Sequence, residues 1–198
     1  MTLRRTVLVV AALNLAYFFV ESGVALAIGS VSLLADSVDF LEDTAVNLLI
    51  FVALGWSALA QSRAGKAMSL VILLPALAAA WQAFSKFGDP VAPDPMALTL
   101  TAGGAVVVNS VAALLLTRVR HHAGSMSHAA WLAARNDVLV NVAIIAMGLV
   151  TFATGSGWPD IVLGLVIVVL NVTAAREVWE VATEEGLAAK ALAGEEID

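Results

Sequence analysis

The sequence contains no cysteine and few charged residues. Of its 198 residues, 61% are hydrophobic and 13% are charged, whereas soluble globular proteins have about a quarter charged residues. Without cysteine, disulfide bonds and thiolate metal ligands are excluded, so any metal ion must be held by oxygen atoms or imidazole rings. The mean hydropathy of +0.93 indicates a membrane protein with little room for a soluble domain.

Long apolar runs predict an all-α integral membrane protein with six transmembrane helices. About 20 apolar residues are enough for a helix to cross the bilayer, and six runs approach or exceed that length: 6–28, 31–60, 66–86, 96–117, 127–154 and 159–182. A cleaved secretory signal is an alternative for the first run. This run is longer than a signal core and carries Asn14 and Glu21, which favours a retained helix.

Basic residues fall mainly on one side of this six-helix topology. Only Lys86 lies near a loop of the other side, whereas seven basic residues lie at the chain ends or in the second and fourth loops, namely Arg4, Arg5, Arg63, Lys66, Arg118, Arg120 and Arg176. By the positive-inside rule, both termini are expected in the cytoplasm. We predict a transmembrane domain over residues 1–182 and a short, solvated acidic tail over 183–198.

Acidic residues inside the second span are the most informative feature of the sequence. A charged carboxylate in mid-bilayer costs at least about 2.5 kcal/mol, so such residues usually face a cavity or a partner and mark function. Spacings of three, four and four predict a polar stripe on one helix face, formed by Asp36, Asp39, Asp43 and Asn47. Glu42 is predicted to point away from this stripe.

The fifth span supplies a second polar face, with Asp137 and Asn141 four residues apart. Counted from the span ends, Asp137 lies at a depth similar to that of Asp43, so both can meet Asp39. Three converging carboxylates repel one another and hold protons unless a cation is bound. The pattern therefore predicts a divalent-cation site that exchanges metal for protons.

Other roles are open for these acids. Protonated carboxyls could form hydrogen bonds between helices, or the acids could form salt bridges, as Glu42 could with Arg135. For Asp36 and Glu42, pairing or solvation is at least as well supported as metal ligation. Asn14, Asn109 and Asn171 interrupt other apolar spans and are expected to form hydrogen bonds between helices.

Three segments resemble the cation diffusion facilitator transporters: GSVSLLADSVDFLEDTAVNLL, ARNDVLVNVAIIA and WPDIVLGLVIVVLN. The family pattern is an acid or His, three residues and an Asp on the second helix, with a similar pair on the fifth. Asp39 and Asp43 match the first pair, and Asp137 matches the Asp of the second. The resemblance implies a homodimer in the inner (plasma) membrane that exports divalent metal, commonly zinc, by alternating access in exchange for protons, without a tightly bound cofactor.

The sequence departs from that family pattern at Ala133, which has no ligand atom where the fifth helix should carry one. The fourth ligand could be water, Asn136, Asn47, Asn141 or Asp36. An oxygen-only site suits Mn²⁺ or Fe²⁺, but three carboxylates and a water can also bind Zn²⁺. Zinc is favoured, with cadmium, iron, manganese and cobalt open. The family's cytosolic C-terminal metal-binding domain is expected to be missing, which suggests a short form.

Smaller features and rival functions complete the expectations. Glu21 could line the outer vestibule or relay protons. His121, His122 and His128 lie where some relatives carry a His-rich loop that collects metal, although a solvated basic loop is the favoured interpretation. An intramembrane metalloenzyme using the same acids is the main alternative, and a structural membrane partner whose acids pair with Arg135 is another. Nothing in the sequence indicates nucleic-acid binding.

Overall fold

The computed structural model describes residues 3–53, 56–118 and 124–193; side chains are described there except at 53, 58, 61, 68, 72, 124–132, 190, 191 and 193. These residues form six α-helices and no strand, which confirms the all-α prediction. Five of the helices are long and apolar enough to cross a membrane; the exception, α2, carries four acids within eight residues. The helices are α1 Leu3–Ile28, α2 Val31–Ala53, α3 Ala58–Lys86, α4 Pro95–Thr117, α5 Gly124–Thr154 and α6 Trp158–Ala193.

Three predicted helix ends differ clearly from the structure. α2 ends at Ala53 rather than near residue 60, and α3 begins at Ala58 after Ser57, whose Oγ accepts a hydrogen bond from the Ala60 amide as an N-cap. The predicted loop QSRAGK lies inside α3, because its Gln, Arg, Ala and Lys residues favour helix. α6 continues past residue 182 to Ala193, so the first part of the predicted tail is helical rather than frayed.

The helices bury polar side chains and expose apolar ones. Leu26, Leu74 and Phe152 are exposed, whereas Asn14 and Glu21 are fully buried. This arrangement is the reverse of a soluble protein and matches a lipid-facing surface, where polar groups must find partners inside the bundle. The most extensive contacts join α1 to α2, α4 to α5 and α3 to α6, while α5 touches α2 and α6 more sparingly.

The N-terminal end of α2 is fixed by α6 through one carboxylate. Asp160 accepts hydrogen bonds from the Ser30 hydroxyl (2.6 Å), the Val31 amide (2.7 Å), and the Ser32 amide and hydroxyl (3.1 and 2.6 Å). Gly164 lies one turn further along α6, and a side chain there would collide with the α2 backbone. These contacts hold α6 against α2 just before the acidic stripe begins.

Candidate metal site

A cavity of about 380 Å³ lies between α2, α5 and α6. Three helices therefore converge on it, although the sequence pattern pointed to two. Each helix presents residues about one turn apart, so each contributes one continuous face. The lining residues are Asp39, Glu42, Asp43 and Val46 from α2, Ala133, Asn136, Asp137 and Val140 from α5, and Leu170, Asn171 and Ala174 from α6.

The structure brings Asp39, Asp43 and Asp137 to this one cavity, as the sequence suggested. Asp43 is 5% exposed, whereas Asp39 and Asp137 are partly buried. The side chains share the cavity without converging: within the described ranges, no three Asp, Glu or His side chains form a ready set of metal ligands. Closing around an ion would therefore need side-chain rotation or bridging water.

The predicted stripe on α2 is rotated relative to the cavity. Glu42, expected to point away, lines it, while Asp36 and Asn47 do not. The cavity faces both α5 and α6. The centre of the cavity therefore lies on the Glu42 side of Asp39 rather than on the Asp36 side, and the prediction for Glu42 was wrong. The pairing of Glu42 with Arg135 stays a prediction.

The other edge of the stripe faces α1. Asn14, fully buried, donates a hydrogen bond from Nδ2 to Oδ2 of Asp43 at 3.1 Å, and Asn47 donates to the Asp43 backbone carbonyl at 2.8 Å. Sequence reasoning gave Asn14 no role at the site. A signal was present, because α1 and α2 are joined by a short turn at Gly29 and Ser30, and Asn14 and Asp43 are almost equally far from that turn.

A second acidic pair lies beside the cavity and is sealed from solvent. Glu21 on α1 and Asp36 on α2 are fully buried next to each other, and Asp36 also lies near Asn141 of α5. None of the four carboxyl oxygens receives a hydrogen bond from a described residue. Asn141 donates to the Asp137 backbone carbonyl at 3.0 Å and does not line the cavity.

Some of the remaining predicted residues line the cavity, and others fall outside the part of the chain that the structure describes. Ala133 faces the cavity with its methyl group, which agrees with the missing ligand, and Asn136 beside Asp137 is exposed. His121 and His122 fall outside the described residues, as does the side chain of His128.

The arrangement is that of a helical membrane protein with acids around an intramembrane cavity, which defines the class of ion-handling membrane proteins. A sequence profile described as the cation efflux transmembrane domain matches residues 7–184. The chain therefore belongs to the cation efflux family, and this membership supports divalent-cation transport in general rather than enzymatic activity. A search of curated protein sequences found no match.

Proposed function

We propose that the protein exports divalent metal cations from the cytoplasm in exchange for protons, with Zn²⁺ as the favoured ion. One observation carries the proposal: Asp39, Asp43 and Asp137, from two different helices, line a single cavity inside an apolar bundle. Carboxylates gathered in a poorly solvated site repel one another, and a divalent cation removes that repulsion. Oxygen ligands of this kind bind first-row divalent metals.

Proton exchange follows from the same ligands. A carboxylate must be deprotonated to bind metal, so metal and protons compete for the same oxygens. A metal ion that leaves toward the proton-rich side is replaced by protons, and the loaded and unloaded forms carry similar net charge. We further propose that the protein works by alternating access as a homodimer in the inner membrane, as family membership suggests.

Uptake into proteoliposomes tests this function. The purified protein is reconstituted, a pH gradient is imposed with the acidic side inside, and entry of Zn²⁺, Cd²⁺, Mn²⁺ and Fe²⁺ is followed with a trapped dye. We expect uptake that collapses when an ionophore removes the gradient and that is lost in Asp137→Ala. Asp89→Asn is the matched control, because Asp89 is an exposed acid in the loop before α4.

Each outcome of this assay bears on the proposal. Gradient-driven uptake by the wild type and by Asp89→Asn, but not by Asp137→Ala, would support it and would rank the ions. Absence of uptake of every ion by folded wild-type protein would overturn it. If metal still bound to such a protein, the intramembrane metalloenzyme would become the better explanation of the acids.

A further inference from the structure

We propose that Asn171 on α6 supplies the oxygen ligand that α5 lacks at Ala133, and that it thereby sets the metal preference of the site. This inference rests on the proposed function of the cavity. Asn171 was expected only to join helices. The structure places it in the lining of the same cavity as Asp39 and Asp137.

The hydrogen bond of Asn171 fixes which of its two amide atoms is available. Nδ2 donates to the backbone carbonyl of Ala35 on α2 at 2.7 Å. A carbonyl oxygen can only accept, so the atom facing Ala35 must be the nitrogen. Because the amide group is planar and branched, the oxygen Oδ1 points away from that bond. The nitrogen is therefore engaged with α2, and the oxygen is the atom left for the cavity.

The other amides near the site are less suited to ligation. The Oδ1 atoms of Asn14, Asn47 and Asn141 are sealed within helix contacts, and none of these residues lines the cavity. Asn136 lines the cavity but is exposed. Asn171 alone among these five combines cavity access, 3% exposure and a hydrogen bond that holds its side chain in place. Ligands that are held in this way by neighbouring groups bind metal more tightly.

A neutral oxygen donor also suits the charge of the site. The three aspartates already outweigh the charge of a divalent ion, and Glu42 lines the same cavity. A further carboxylate ligand would therefore add an uncompensated negative charge in a poorly solvated cavity. An amide oxygen completes the set without that cost. The resulting all-oxygen ligand set accepts Mn²⁺ or Fe²⁺ as well as Zn²⁺, whereas an imidazole at the same place would favour Zn²⁺.

Two substitutions distinguish a ligand role for Asn171 from a purely structural one. Asn171→Ala removes both the oxygen and the bond to Ala35. Asn171→Asp removes the donor to Ala35 but keeps an oxygen in the cavity. If Asn171 only joins α6 to α2, both variants lose function equally. If Oδ1 is a ligand, the Asp variant keeps metal binding and the Ala variant does not.

The test is metal binding by the purified full-length protein in detergent, measured by calorimetry with Zn²⁺ and with Mn²⁺. We expect Asn171→Ala to weaken binding of both ions by about tenfold to a hundredfold. Asn171→Asp keeps an oxygen ligand but adds a negative charge, so it should weaken binding clearly less than Asn171→Ala does. Asn171→His should raise the preference for Zn²⁺ over Mn²⁺ by about tenfold or more. Asn109→Ala is the matched control, because Asn109 is a buried amide of α4 that does not line the cavity.

The outcomes separate this inference from the function on which it rests. If Asp137→Ala abolishes binding while Asn171→Ala binds like the wild type, Asn171 is not a ligand but the metal site stands. Equal losses in the Ala and Asp variants, with no change of preference in the His variant, would also overturn the inference and leave a structural bond. If the wild type binds neither ion, the proposed function fails, and the ligand role of Asn171 fails with it.

Discussion

Asp160 of α6 and Asp36 of α2 are both buried acids, with 1% and 0% exposure, and Asp160 packs against the start of α2, yet their surroundings differ completely. Asp160 accepts four hydrogen bonds from the first residues of α2. Asp36 accepts none from the described residues, and neither does its neighbour Glu21. Buried polar groups are normally paired, so a fully paired acid fits a structural role, while two acids that face mainly each other beside a cavity fit a functional one.

The same contrast separates two regions of the bundle. At the N-terminal end of α2, Gly164 allows close approach of α6 and Asp160 fixes the contact. Two turns further along α2, the helices part to form the cavity, which is lined by Asp39, Asp43 and Asp137. The rigid contact positions the face of α2 that carries Asp39 and Asp43. In the proposed function, the open region is where an ion and protons exchange.

The largest effect is expected from removing a charge in the open region. Asp137→Asn keeps the side-chain shape but loses a carboxylate at the cavity, so metal affinity should fall by at least about a hundredfold. Calorimetry with Zn²⁺ measures this, and the melting temperature should stay near that of the wild type. A variant that unfolds, or one that binds metal normally, would break the assignment of Asp137 to function.

In the rigid contact between α2 and α6, we expect a loss of stability with metal binding preserved. Asp160→Ala leaves the donors of Ser30, Val31 and Ser32 unpaired, and the loss of stability should be on the order of 3 kcal/mol. Thermal unfolding in detergent measures it. The protein that remains folded should bind metal with nearly wild-type affinity. Unchanged stability combined with lost metal binding would reverse the roles that we give to the two regions.

A smaller effect is expected at Asn14, which contacts Asp43 from α1. Asn14→Leu removes the hydrogen bond to Asp43 Oδ2 but leaves the carboxylate itself. Because groups that orient a metal ligand typically contribute about tenfold to affinity or more, we expect about a tenfold loss of metal binding. Asn109→Leu serves as the control for a buried amide outside the cavity. An equal loss in both variants would point to packing rather than to orientation of Asp43.

The smallest effect is expected at the surface. Arg176 and Glu180 form an ion pair one turn apart on α6, at 2.7 Å, with side chains 79% and 55% exposed. Exposed pairs of this kind contribute little because water and salt screen them. Arg176→Gln should leave both the melting temperature and metal affinity unchanged within error. A clear change in metal affinity would show that charge far from the cavity also controls binding.

Much of this fold was predictable because its signals are local. Long apolar runs predicted six helices, and helical spacing predicted that Asp39 and Asp43 share one face of α2; both line the cavity with Asp137. The end of α2 at Ala53 was missed because Leu54 and Trp56 continue the apolar run, although Gly55 and Ser57 are residue types found at helix ends. The extent of α6 was missed for a related reason: its polar C-terminal part still has high helix propensity.

The contributions of α6 to the site could not be read from the sequence. Asp160, Gly164 and Asn171 matter because α6 lies against α2, and spacing along one chain segment does not reveal which helices are neighbours. Glu42 was misjudged for the same reason, since the direction of the cavity depends on α6 as well as α5. The contact of Asn14 with Asp43 is the exception, because a short turn makes their depths comparable.

The most direct test of the account is to locate the metal in a structure of the protein saturated with Zn²⁺ or Mn²⁺, by anomalous scattering at the absorption edge of the ion. We predict one metal peak in the cavity, with oxygens of Asp39, Asp43 and Asp137 at about 2.0 to 2.2 Å. A peak between Glu21 and Asp36, or no peak near the three aspartates at saturating metal, would contradict the central claim that these acids form the transport site.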